Sequence, residues 1–246
     1  MEPNFLVYVL IGFLAQIVDG ALGMAYGVVS TTFLLNFGAS PVAASASVHI
    51  SEVFTTGVSG LSHWKLGNVN KNLFKKLIIP GMIGGILGAY LLVNLPSEKI
   101  KPFVASYLLL MGLFIIFKSF REIKEREVKD KIKRLGFIGG FLDAIGGGGW
   151  GPIVTSTLVA RGNHPRFTVG SVNLAEFFVA FSQSIVFILA IGLIHWKIIS
   201  GLLIGGVVAA PIAAYVCKKL PRKPFMILVG ILIVLLSLRT IYMIFY

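Results

Sequence analysis

Ten acidic residues occur in the chain, and four of them, Asp19, Glu52, Asp143 and Glu176, lie inside long apolar stretches. A carboxylate at the centre of a membrane span costs about 2.5–3.5 kcal/mol to insert, so it is kept for a partner, a cavity or a transported ion. The plainer reading is a hydrogen bond that joins two helices. Around Glu52 the residue types favour chemistry. Ser45, His49, Glu52, Thr56 and Ser59 recur at steps of four and three, which stacks them on one helix face. Asn173, Glu176 and Gln183 form a sparser copy. Such a stripe suggests a water-accessible path for a proton or ion. His49 could titrate near neutrality or serve only as the hydrogen-bond partner of Glu52. Asp19, His49, Glu52, Asp143, Asn173 and Glu176 are therefore the candidates for proton or ion coupling.

Asp19 and Asp143 each introduce a glycine-rich run, Asp19-Gly-Ala-Leu-Gly-Met-Ala-Tyr-Gly27 and Asp143-Ala-Ile-Gly-Gly-Gly-Gly-Trp-Gly151. Glycine disfavours continuous helix, and backbone leaves regular helix at membrane depth only where protein or a water-filled cavity satisfies it. Successive glycine amides can point one way and form an anion-binding nest, and helices starting near Tyr26 and Trp150 would aim their positive ends at the same place. Hydroxyls follow both runs: Ser30, Thr31 and Thr32, then Thr155, Ser156 and Thr157. The candidate substrate-binding residues are Gly20, Gly23, Tyr26, Gly27 and Thr31, with Gly146, Gly147, Gly148, Gly149, Trp150, Gly151 and Thr155. Close packing of helices through small residues is the competing account of the glycines. The aspartates would repel an anion, unless they cap amides, hold a proton or bind a cation.

The elements that position these residues follow from hydropathy. A span needs about 20 mainly apolar residues, and stretches near 41–61, 72–94, 101–118, 166–192, 198–217 and 225–244 qualify. Residues 5–37 and 135–160 are apolar but broken by glycine. At an offset of 124 the chain aligns with itself: Asp19 with Asp143, Gly23 with Gly147, Gly27 with Gly151, Thr31 with Thr155, Pro41 with Pro165 and Glu52 with Glu176. Glycine, proline and acid positions holding one register indicate an internal duplication. The expected fold is an all-α integral membrane protein of two inverted-topology repeats. Each repeat is a broken or re-entrant helical segment plus three transmembrane helices, giving eight or more membrane segments. Residues 1–120 form the first repeat, 121–134 a charged cytoplasmic linker and 135–246 the second repeat.

Charge supports the inversion. With three crossings per half, the loops at 62–76, 118–134, 161–166 and 218–224 share one side and hold 18 of the 22 Lys and Arg. Parallel halves would strand six of those charges on the far side. Basic loops mark the cytoplasmic face, which puts both termini outside.

Composition narrows the classes further. Hydrophobic residues make up 56% and charged residues 13%, with a mean hydropathy of +0.88. That leaves too little polar surface for a soluble domain, in which about a quarter of residues are charged. The formal charge of +12 lies beside apolar runs, so it speaks for membrane topology and against nucleic-acid binding. The lone Cys217 leaves no internal disulfide and no cysteine-rich metal site. The start Met-Glu-Pro-Asn lacks a basic n-region, so the first segment is expected to stay in the membrane. No Gly-x-x-x-x-Gly-Lys-Ser/Thr, His-Glu-x-x-His or Gly-x-Ser-x-Gly motif occurs. No catalytic residue, metal or cofactor is expected.

Taken together, these features resemble the sulfite exporter TauE/SafE family of prokaryotic anion permeases. They are the glycine-rich break early in each half, the Gly-x-x-Pro turns Gly38–Pro41 and Gly162–Pro165, His49 or Asn173 three residues before a Glu, and the charged loop between halves. The resemblance covers roughly 6–244. It implies secondary transport of sulfite, sulfonates or related organosulfur anions across the cytoplasmic membrane, commonly outward. The partners it implies are a small anionic solute and the lipid bilayer, with a homo-oligomer left open. One departure is that the first run is poorer in glycine, so Met24 and Tyr26 would reshape that side of the site. Within transporters the rival is a cation-coupled or cation-moving carrier; a membrane-embedded enzyme lacks motif support.

Overall fold

The structure is a computed structural model that describes residues 4–22, 24–120, 131–193, 195–216 and 222–245. Gly23, Cys217 and most of the charged linker expected at 121–134 lie outside them. The described residues are helical, without a strand among them. Helix α1 spans Phe5–Leu22, α2 Tyr26–Asn36, α3 Pro41–Lys65, α4 Lys71–Asn94 and α5 Ser97–Ser119. In the second half, α6 spans Ile132–Gly146, a π-helical turn Gly151–Thr155 runs into α7 at Ser156–Ala160, and α8 spans Pro165–Ile191, α9 Trp196–Val216 and α10 Arg222–Phe245.

Local chemistry sets several boundaries. The Ser40 side chain accepts from the Ala43 amide at 3.2 Å and Pro41 occupies the first turn of α3, where its missing N–H costs nothing. Asn70 caps α4 by accepting from the Asn72 and Leu73 amides. Both expected breaks occur: α1 ends at Leu22 before α2 begins at Tyr26, and α6 ends at Gly146, whose following residue Gly147 has a φ of +66°. The second break resumes as a π turn, a form found often where a helix departs from regularity at a site.

Among the described residues, four helices are long and apolar enough to cross a membrane, namely Lys71–Asn94, Ser97–Ser119, Arg166–Ile191 and Met226–Phe245. Two of the six expected spans fall short of that measure. Helix α3 is long but carries buried Ser45, Ser47, His49, Ser51, Glu52, Thr55 and Thr56, so its apolarity drops because it faces protein. The described apolar stretch of α9, Trp196–Ala210, is too short.

Packing brings first-half and second-half helices together. α1 runs beside α9 in the same direction, with Gly12 against Leu202 and Gly20 against Ala213. α6 runs the same way beside α4, with Gly136 against Leu77 and Gly140 against Gly81. A β-carbon would press into facing backbone at Gly12, Gly136 and Gly140 and into the Ala213 methyl at Gly20, so small residues permit the close approach that membrane helices rely on. α3 packs on α8, α5 on α10, α3 on α9 and α4 on α8. Large apolar side chains such as Leu6, Phe103, Leu189 and Leu228 face outward, as lipid contact requires.

Candidate functional site

The two breaks meet. A β-carbon built on Gly27 would stand 2.6 Å from the Gly148 Cα and 3.1 Å from Glu52 Oε1. The Thr31 hydroxyl donates to the Gly147 carbonyl across the same contact. Gly147 and Gly148 have φ values of +66° and +140°, a region open to glycine and strained for other residues. The first break has its own left-handed residue, Ala25 at +92°.

Asp143 is the hub on the second-half side. Its Oδ1 accepts from the Trp150 amide at 2.9 Å, and its Oδ2 accepts from Gln183 Nε2 at 2.9 Å and lies 3.1 Å from His49 Nε2. The Gly147 and Gly148 amides both turn to the Asp143 carbonyl. Three amides of the expected nest are thus directed to Asp143, and the carboxylate occupies the place an anion would take at Trp150. Asp19 stands in the matching position, against the Tyr26 backbone amide. Each aspartate faces the amide seven residues on. Of the roles left open by the sequence, the geometry gives these aspartates capping.

The stripe on α3 is buried against the second half. Ser45 Oγ donates to the Ala144 carbonyl at 2.6 Å and lies 3.2 Å from His49 Nδ1, which itself sits 2.7 Å from the Ser45 carbonyl. His49 Nε2 is also 4.0 Å from Glu52 Oε2. The Thr56 hydroxyl turns back to the Glu52 carbonyl, and Ser59 Oγ accepts from Asn173 Nδ2 at 3.1 Å. Glu176 is buried within electrostatic reach of Glu52, Asp19 and Asp143. Several buried polar atoms here have no hydrogen-bond partner: Glu52 Oε2, Ser30 Oγ, Thr155 Oγ1, Asn173 Oδ1 and Gln183 Oε1. Such atoms cost about 1–3 kcal/mol each when left unpaired, and native proteins usually keep them for a reason.

The remaining candidates are placed around this crossing. The Tyr26 hydroxyl donates to the Leu202 carbonyl at 3.2 Å, and the fully buried Trp150 indole donates to the Val172 carbonyl at 3.2 Å. Gly146 and Gly149 pack against Tyr107, Gly20 against Ala213, and Gly151 is buried inside the π turn. Among the described residues, no group of three or more His, Cys, Asp or Glu is arranged to hold a metal ion. Sequence reasoning missed Tyr107, whose hydroxyl donates to the Gly148 carbonyl at 3.1 Å. The position 124 residues on is Ile231, so the self-alignment did not mark it. Gln183 was visible in the α8 stripe, but its bond to Asp143 was not.

Comparison with known proteins gives a consistent answer. The family model described as Sulfite exporter TauE/SafE matches residues 8–240. A relative from Bacillus subtilis (strain 168), the probable membrane transporter protein YtnM, is 44% identical over 248 residues, covering 97% of this chain and 83% of the relative. The chain belongs to the sulfite exporter TauE/SafE family and is a multi-pass cell-membrane transporter.

Proposed function

We propose that the chain is a secondary transporter that moves a small oxyanion, of the sulfite or sulfonate class, by alternating access between two inverted repeats. The observation that carries this reading is the crossing of the two interrupted segments, where Gly27 meets Gly148 and Thr31 meets Gly147. Paired interrupted helices at a repeat interface are the usual location of a transporter's binding site. Glu52 against Gly27, Ser30 one turn along α2 and Thr155 at the end of the π turn carry atoms without a hydrogen-bond partner, polar capacity that the fold does not consume.

Packing supports a two-fold relation between the halves, and the shared direction of α1 with α9 and of α6 with α4 supports their inversion when each broken segment re-enters. Exchanging each first-half helix for its second-half counterpart turns the α1–α9 pair into α6–α4 and α3–α9 into α8–α4, while α3–α8 and α5–α10 pair with each other. A re-entrant path fits as well. Asn36, ending α2, bonds Thr240 and the Leu236 carbonyl near the end of α10, on the side from which α1 sets out. Ser156 accepts from Lys118, at the end of α5, on the side from which α6 sets out.

In this reading the solute lies along Gly27, Thr31, Gly147–Gly149 and Thr155, and Glu52 or Glu176 handles a coupling proton. A substrate anion reaches the Trp150 amide by displacing the Asp143 carboxylate, so binding and movement of the break are linked. The rival, a cation-coupled or cation-moving carrier, draws on four buried acids with no buried Lys or Arg among the described residues. Reconstituted vesicles decide between them. Labelled sulfite flux that accelerates with an imposed proton gradient supports the proposal; flux of sodium without sulfite movement overturns it.

A further inference from the structure

We propose that His49 is a proton relay between the two halves, holding a transferable proton against Asp143 and passing it to Glu52. The hydrogen-bond geometry dictates the first part. His49 Nδ1 is 2.7 Å from the Ser45 carbonyl, which can only accept, so Nδ1 carries a hydrogen. The Ser45 hydroxyl beside it spends its own hydrogen on the Ala144 carbonyl, so it too can only accept from the ring. His49 Nε2 is 3.1 Å from Asp143 Oδ2, an oxygen that already accepts from Gln183. A second hydrogen must lie between Nε2 and Oδ2, and Asp143, served by the Trp150 amide and Gln183, is built as the acceptor. His49 is therefore an imidazolium paired with Asp143, with Phe187 of α8 covering it at 5.9 Å between ring centres.

The second part follows from which helix carries each group. Asp143 is on α6 of the second half; His49 and Glu52 are three residues apart on α3. Glu52 Oε2 is buried, 4.0 Å from the same Nε2 and without a hydrogen-bond partner. The other charged groups facing Glu52 are the carboxylates Asp19, Asp143 and Glu176, and a proton relieves their mutual repulsion. When the halves separate, His49 leaves Asp143 and keeps Glu52. In the transfer the Nε2–H bond breaks and an Oε2–H bond forms; the ring and the Glu52 carboxyl both become neutral, Asp143 stays ionised and total charge is unchanged. A neutral pair is far cheaper to hold in a low-dielectric interior than two separated charges.

The inference rests on the transport reading only for what the proton drives, and the test keeps the two apart. Solid-state nitrogen NMR of histidine-labelled protein in vesicles at pH 7, with His63, His164 and His195 replaced by Gln, reports the His49 ring directly. Where that variant does not fold, the difference spectrum between wild type and His49→Gln gives the same signal. Hydrogens on both ring nitrogens, with the Nε2 signal shifted by Asp143→Asn, support the relay; a hydrogen on Nδ1 alone overturns it. In the transport arm, Glu52→Gln lowers protons moved per labelled sulfite at least tenfold, and an unchanged ratio also overturns the relay. If the wild type moves no sulfite, the transport reading fails while the NMR result still decides the protonation of His49.

Discussion

Gly148 lies against Gly27 with no room for a side chain on either residue, and its φ of +140° is one that only glycine adopts without strain. A β-carbon on Gly148 would press into the Gly27–Val28 peptide, and one on Gly147 would meet the Thr31 side chain. Gly147→Val and Gly148→Val are expected to abolish flux while the protein still inserts in the membrane. Gly148→Ala should lower stability by about 1–3 kcal/mol from backbone strain alone. Thermal melting in detergent measures the stability loss, and vesicle flux measures the function. Normal flux in both valine variants removes the crossing from the mechanism.

Asp143 serves three buried donors from three parts of the chain: the Trp150 amide, Gln183 and His49. Asp143→Ala strands all of them, and breaking a buried charged pair in this way costs about 3–5 kcal/mol. Asp143→Asn keeps an oxygen for the Trp150 amide and should cost less. A melting series across wild type, Asn and Ala checks the order, and equal melting temperatures would remove Asp143 as the hub.

Glu52 and Glu176 are both buried, and Glu52 Oε2 has no hydrogen-bond partner. Glu52→Gln and Glu176→Gln keep shape and remove the titrating proton, so folding should survive while gradient-driven flux falls at least tenfold in one or both. Full gradient-driven transport in both variants excludes coupling through these acids.

Sidedness can be tested by labelling. The Arg166 guanidinium donates to Asn68 and to the Leu66 carbonyl, and Ser171 accepts from the Asn70 amide, which ties the α3–α4 loop to the start of α8. In a Cys217→Ser background, Lys71→Cys and Arg161→Cys should react with an impermeant thiol reagent from the same face. Glu98→Cys and Lys197→Cys should react from the other. A split within either pair rejects the inverted arrangement.

Much of this was legible in the chain because the signals are local. The interruptions fall in the two glycine-rich runs, between Leu22 and Tyr26 and at Gly147, and Gly38–Pro41 marks the turn into α3. An offset of 124 pairs Asp19 with Asp143, and each faces the amide seven residues on. What stayed hidden is long-range. Nothing in the spacing of His49 names Asp143 as its partner rather than Glu52, and Tyr107 sits in an apolar helix with no counterpart in the duplicate. The stripe on α3 shows a shared face, but not that Ser45, His49 and Ser59 bond to α6 and α8 while Thr56 turns back on its own helix and Glu52 Oε2 keeps no hydrogen-bond partner. Periodicity fixes a face; it does not say what stands opposite.

The bond from Asn36 to Thr240 reaches over most of the polypeptide. During synthesis, α2 enters the bilayer long before the helix that secures its tip has left the ribosome. The end of α2 therefore gains this partner only once α10 has been made. A chain stopped before residue 222 would leave Asn36 without its α10 partners.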